Sequence, residues 1–111
     1  MRHFQASAVE RRKYFETSVE SHPMEAGWAG EAIFYLIVEE VEGVDVSLNA
    51  GIEISADGIN WIAEGTHFPE IDKPGHYFVK VRHFGNWLRV HGTIDGTSSM
   101  VKLSVHLHLK A

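Results

Sequence analysis

Apolar and polar residues alternate along most of this chain. Val44, Val46 and Leu48 are separated by Asp45 and Ser47, and Ile52 and Ile54 by Glu53. Tyr77, Val79 and Val81 alternate with Phe78 and Lys80, and Leu103, Val105, Leu107 and Leu109 alternate with Ser104, His106 and His108. In an extended backbone successive side chains point to opposite faces, so each run predicts a strand with one face on a core and the other toward water. No segment carries a helical stripe. The nearest approach is Ser7 to Tyr14, where Glu10-Arg11-Arg12-Lys13 fits a short turn of helix.

Turn residues separate these runs. Asp57-Gly58 lies between Ile52-Glu53-Ile54 and Asn60-Trp61-Ile62. A two-residue turn there pairs Ile54 with Trp61 and places the indole in the core, which is the expected arrangement. A longer, bulged turn slips the register by one and sends Trp61 outward. Asp95-Gly96-Thr97-Ser98-Ser99 reads as a looser connection, and Pro69 and Pro74 bracket a loop that crosses between sheets. About eight strands at this spacing indicate an all-β protein. The expected fold is a single antiparallel β-sandwich or jelly-roll-like domain over residues 1–111, with 1–30 able to serve as an arm or covering segment.

Gly85-Asn86 fits a two-residue hairpin and predicts a register: Phe84 with Trp87, His83 with Leu88, Arg82 with Arg89, Val81 with Val90, Lys80 with His91. One face of that hairpin is core. The other gathers Phe78, Lys80, Arg82, Phe84, Trp87, Arg89 and His91, with two arginines opposed, an arrangement that calls for an anion between them. The stretch Ala32–Val38 breaks the alternation because it is apolar on both faces. Its outward residues Ile33, Tyr35 and Ile37 need a cover, either the N-terminal segment or another subunit.

Charge sharpens the interface reading. The 111 residues carry a net charge of −5, but unevenly. Residues 1–74 hold 14 acidic and 5 basic side chains, and residues 75–111 hold 1 acidic and 5 basic. The glutamates Glu39, Glu40 and Glu42 complement Lys80, Arg82 and Arg89, which points to a homo-oligomer or larger protein assembly. The overall acidity argues against nucleic acid as a partner. The longest apolar run is too short for a membrane helix, and no signal-peptide pattern opens the chain, so cytoplasmic synthesis is expected. Cysteine is absent, which removes disulfides, thiolate metal sites and cysteine nucleophiles.

Candidate chemistry is sparse. His106 and His108 share one face of a strand, and His91 joins them if its strand lies alongside. Three imidazoles are a transition-metal set, although solvated histidines are the favoured reading and no cofactor is expected. Nucleophile elbows, phosphate-cradling loops and zinc-helix motifs are missing, so the chain reads as a non-enzyme. Trp28, Asn86, Trp87 and Arg89 offer an aromatic surface with polar flanks, the composition of a glycan-binding platform.

The stretch Ile54-Ser55-Ala56-Asp57-Gly58-Ile59-Asn60-Trp61 with Glu64-Gly65, followed by Trp87–Ile94 and the final strand ending Leu107-His108-Leu109-Lys110, resembles small β-sandwich accessory proteins of tailed-phage virions. The resemblance covers residues 50–111. It implies a non-catalytic building block or decorating subunit of a larger homomeric assembly. A carbohydrate-binding sandwich and a metal-binding protein stand as the alternatives.

Overall fold

The computed structural model describes residues 4–111, and every regular element among them is a strand. In chain order these are β1 (Phe4–Phe15), β2 (Ser18–Glu20), β3 (Met24–Glu25), β4 (Glu31–Ser55), β5 (Ile62–His67), β6 (Gly75–Arg82) and β7 (Trp87–Lys110). The frame is a single long antiparallel ribbon of β4 and β7, paired from Glu31↔Lys110 to Ser55↔Trp87.

A straight strand of that length would span roughly 80 Å, yet the longest dimension of the molecule is 48 Å. The ribbon is therefore folded back on itself. The bend lies where the apolar alternation fails, around Glu39-Glu40-Val41-Glu42-Gly43 on β4 and Asp95-Gly96-Thr97-Ser98 on β7. Register shifts fall between Val38 and Ser47. Gly43, Asp45, Gly96 and Ser98 take positive φ there. Bulges of this kind bend a strand and raise its twist. Non-glycine residues in that region cost about 1–3 kcal/mol each. Each large apolar side chain that the fold-back buries contributes about 1.5–3 kcal/mol, and more than ten are buried, so burial outweighs the local strain.

Folding the ribbon makes two layers. Sheet one has the order β1, the second half of β7, the first half of β4, β6; sheet two has β2 and β3, the first half of β7, the second half of β4, β5. With β4 and β7 each counted in both sheets, and β2 and β3 taken together as one edge strand, this is the eight-stranded connectivity of a jelly roll. Phe34, Leu36, Leu103 and Leu107 of sheet one face Leu48, Ile52, Leu88 and Val90 of sheet two, all fully or almost fully buried. The crossover between β5 and β6 carries Ile71, which bridges to Leu48 through both backbone hydrogen bonds. Buried polar groups are met: the Ser21 hydroxyl accepts the Val90 N–H at 2.8 Å, and the Ser104 hydroxyl accepts the Arg12 N–H at 2.8 Å.

Four expectations change. Ser7–Tyr14 is strand, not helical turn: β1 pairs along β7 with bulges at Ala8/Glu10 and Glu10/Lys13, because edge pairing satisfies the backbone of a segment with no apolar stripe. Residues 4–25 supply edge strands to both sheets. Asp95–Ser99 is a bent stretch of continuous strand rather than a connection between two. Finally, Gly85-Asn86 is not a hairpin. β6 pairs with β4 in sheet one, Trp87 starts β7 in sheet two, and residues 83–86 cross between layers. The alternation on either side of Gly85 is equally compatible with a crossover, since each strand needs only one buried face.

Candidate functional site

The outer face of sheet two brings together most of the chain's unusual side chains. Ser55 faces Trp87 on one side, and the pairing of Ile54 with Ile62 places it beside Trp61 on the other. Trp61 thus points outward, contrary to the expected core position. The turn is longer than two residues because short polar side chains organise it. The Ser55 hydroxyl donates to Asp57 at 2.9 Å, and the Asp57 carboxylate accepts the N–H groups of Ile59 and Asn60 at 2.9 and 2.8 Å and the Asn60 side-chain amide at 2.9 Å. The backbone N–H groups of Asn60 and Ile59, followed by the Asn60 and Ser55 side chains, hold the Asp57 carboxyl well below the usual carboxylate range. Trp87 lies against Gly58, where an added Cβ would come within 3.1 Å of the indole.

Arg89 ties this face together. Its guanidinium forms two bonds to Glu53, at 2.6 and 2.7 Å, and one to Glu20 at 2.8 Å. It also lies 4.3 Å from the centroid of the Trp61 ring. The side chain is 13% exposed, so the planar fork is satisfied on its edge by carboxylates and on its face by indole. The anion demanded by an outward arginine is internal. The opposed Arg82–Arg89 pair does not form, because the two residues belong to different sheets. Arg82 instead pairs with Glu31 at 3.5 Å, and its side chain is 73% exposed.

Beside the Arg89 network lies a shallow trough of about 320 Å³. Its floor is Gly51; His67 and His91 stand on either side, with Glu53 and Thr66 along it. A side chain at position 51 would crowd the Thr66 carbonyl at 3.1 Å and fill the trough. Indole faces, a paired carboxylate and guanidinium, imidazoles and a hydroxyl thus share one open surface. Such a surface stacks on apolar ring faces and exchanges hydrogen bonds in both directions.

The other sequence candidates fall as follows. Asn86 ends the crossover; its carbonyl accepts the Ala26 N–H, and its side chain packs on Gly27, which puts the Trp28 loop at the same end of sheet two as Trp87. Trp28 is exposed. Lys80 is on β6 in sheet one, as are Ile33, Tyr35 and Ile37 on the first half of β4. All three are half-buried, Tyr35 lying against His108 at 4.9 Å and against Phe78 at 6.3 Å. Glu39 binds Arg12 at 3.1 Å and Lys102 at 3.5 Å, and Glu40 accepts the Tyr14 hydroxyl at 3.3 Å, while Glu42 is exposed. His91 lies in sheet two and His106 and His108 in sheet one, so the three imidazoles do not converge. Among the described residues no group of three or more metal-binding side chains is present.

Sequence reasoning found Trp87, Arg89 and Asn86 on this side of the molecule, and missed Trp61, Glu53, Gly51 and His67. The signal for Trp61 was present as Ser55, Asp57 and Asn60, three capping residues that lengthen a turn. The others meet only through β4–β5 pairing.

No family model and no curated protein matches this chain. Among solved structures it is similar to two variants of a family 29 carbohydrate-binding module. One, complexed with cellulohexaose, has a TM-score of 0.47 and 10% identity over 96% of this chain and 91% of that one. The other has a TM-score of 0.49 and 10% identity over 96% and 86%.

Proposed function

We propose that the protein is a non-catalytic module that binds a carbohydrate chain on the outer face of sheet two. The observation that carries this reading is the outward placement of Trp61 and Trp87 on either side of Ser55, next to the Gly51 trough. Sugar rings present apolar C–H faces and a rim of hydroxyls. The first suit indole, and the second suit Glu53, Thr66, His67 and His91, which supply both acceptors and donors. A shallow, open site of this size suits a chain laid across the strands more than an enclosed small molecule.

A glycan array followed by calorimetry tests it. The expected result is binding of a neutral oligosaccharide, weakened about tenfold or more by Trp61→Ala, the scale on which one aromatic contact and its buried area act. Trp61 also supports Arg89, so His67→Ala is the cleaner companion: the residue is exposed, and its loss should weaken binding with no change in melting temperature. An array without hits, or affinities unmoved by both variants, would remove the proposal.

A further inference from the structure

The outer face of sheet one, on the opposite side of the sandwich, has a different chemistry. Phe4, His108, Tyr35 and Phe78 form a diagonal strip of rings across all four strands, with centroid separations of 5.6, 4.9 and 6.3 Å. Phe4 and Phe78 at its ends are 58% and 57% exposed. Two shallow clefts of about 250 and 220 Å³ adjoin the strip. They share Glu31, Ile33 and Lys110; the first is walled by Phe4, Tyr35 and His108, and the second by Lys80 and Arg82.

The charges here run against the rest of the molecule. The chain is net −5, yet Lys80, Arg82 and Lys110 surround these clefts and, among the described residues, Glu31 is the one acid lining them. Lys80 forms no ion pair among the described residues, and Lys110 lies 6.0 Å from the Phe4 ring centroid, again without an ion pair. Ammonium and guanidinium groups only donate, and among the described residues the side-chain acceptors lining the clefts are Glu31, the Tyr35 hydroxyl and the His108 imidazole. A peptide lying across the strands would leave its own N–H groups short of acceptors. A neutral sugar would bring no anion to Lys80, Arg82 and Lys110. A polyphosphate would bring a dense line of negative charge to a chain of net −5, and three cations line these clefts among the described residues.

We infer that this face is a second site, for an acidic saccharide whose carboxylate or sulfate groups meet Lys80, Arg82 and Lys110 while its ring faces lie on Ile33, Tyr35 and the exposed phenyl rings. The site shares no residue with the Gly51 trough and stands or falls apart from it.

The test titrates an oligogalacturonate and a sulfated oligosaccharide separately into the full chain at low and at physiological salt, with backbone and side-chain NMR shifts as the readout. Shifts at Tyr35, Phe78 and Lys80 that weaken as salt rises, together with at least about tenfold weaker binding in the Lys80→Glu/Arg82→Glu variant and unchanged binding in His67→Ala, are expected. The arm that binds distinguishes carboxylate from sulfate recognition. Absence of binding in both arms, or shifts confined to the Trp61 and His67 face, would overturn the inference. Displacement of the saccharide by an equal concentration of oligothymidylate would overturn the assignment to saccharide.

Discussion

Arg82 and Arg89 carry the same side chain seven positions apart, and their surroundings give them different work. Arg89 is held by Glu20, Glu53 and the Trp61 ring and is largely shielded from water. Removing it leaves two carboxylates without their cation and an indole without its cover. Arg82 shares a single surface contact with Glu31. Exposed pairs contribute up to about 1 kcal/mol, whereas breaking a shielded network costs about 3–5 kcal/mol when burial is complete. Because Glu20 remains open to water, Arg89→Ala should cost about 2–4 kcal/mol and Arg82→Ala under about 1. Urea denaturation of the two variants measures both. Equal losses would mean that the Arg89 network is held as loosely as the surface pair.

At the scale of elements, the decisive feature is that β4 and β7 do not stop at their polar stretches. They bend there and re-enter the core as strands of the other sheet. Carboxylates are costly to bury and glycine accepts positive φ, so the ribbon turns where acidic residues and glycine come together. Gly96 sits at the bend with φ of 123°, and a Cβ there would lie 2.9 Å from the Val44 carbonyl oxygen and the Val46 Cα. Gly30 has open space around it and no positive φ. Gly96→Ala should lower stability by about 1–3 kcal/mol and the melting temperature by about 5 °C or more, while Gly30→Ala leaves both nearly unchanged. Calorimetry on the pair checks it, and equal melting temperatures would mean that the bend tolerates a side chain.

The whole molecule is a sandwich whose two outer faces differ: tryptophans and a polar trough on one, phenyl rings and cations on the other. The apolar outward residues Ile33, Tyr35 and Ile37 give a reason to expect a subunit contact, but all three are already half-buried within the chain. Glu39 and Glu40 are likewise engaged within the chain. The expectation that follows is a 12.5 kDa species by light scattering at both low and high salt. A larger mass that dissociates in salt would restore the assembly reading and place complementary charge in its interface.

The alternation of apolar and polar residues determined the fold class without help, because a period of two has one physical interpretation when strands bury one face. It also determined most of the core: Val81, Leu88, Val90, Leu103, Val105 and Leu107 are buried as their spacing requires, whereas Val44, which the same alternation assigned to the core, lies in the bend and is exposed. The pattern is silent on which strand lies beside which. Glycine beside asparagine serves a hairpin and a crossover equally well, so the pairing of Arg82 with Arg89 was a plausible local answer that the layer arrangement overruled. The same holds for Trp61, whose face turned on one residue of register. The candidate site lies at the meeting of β4, β5 and β7, and its Gly51, Glu53, Trp61, His67 and Arg89 are neighbours because β5 and the first half of β7 both pair with the second half of β4. Side-chain direction is a local property that the sequence sets residue by residue; adjacency is a property of strand order, and only the tertiary structure decides it.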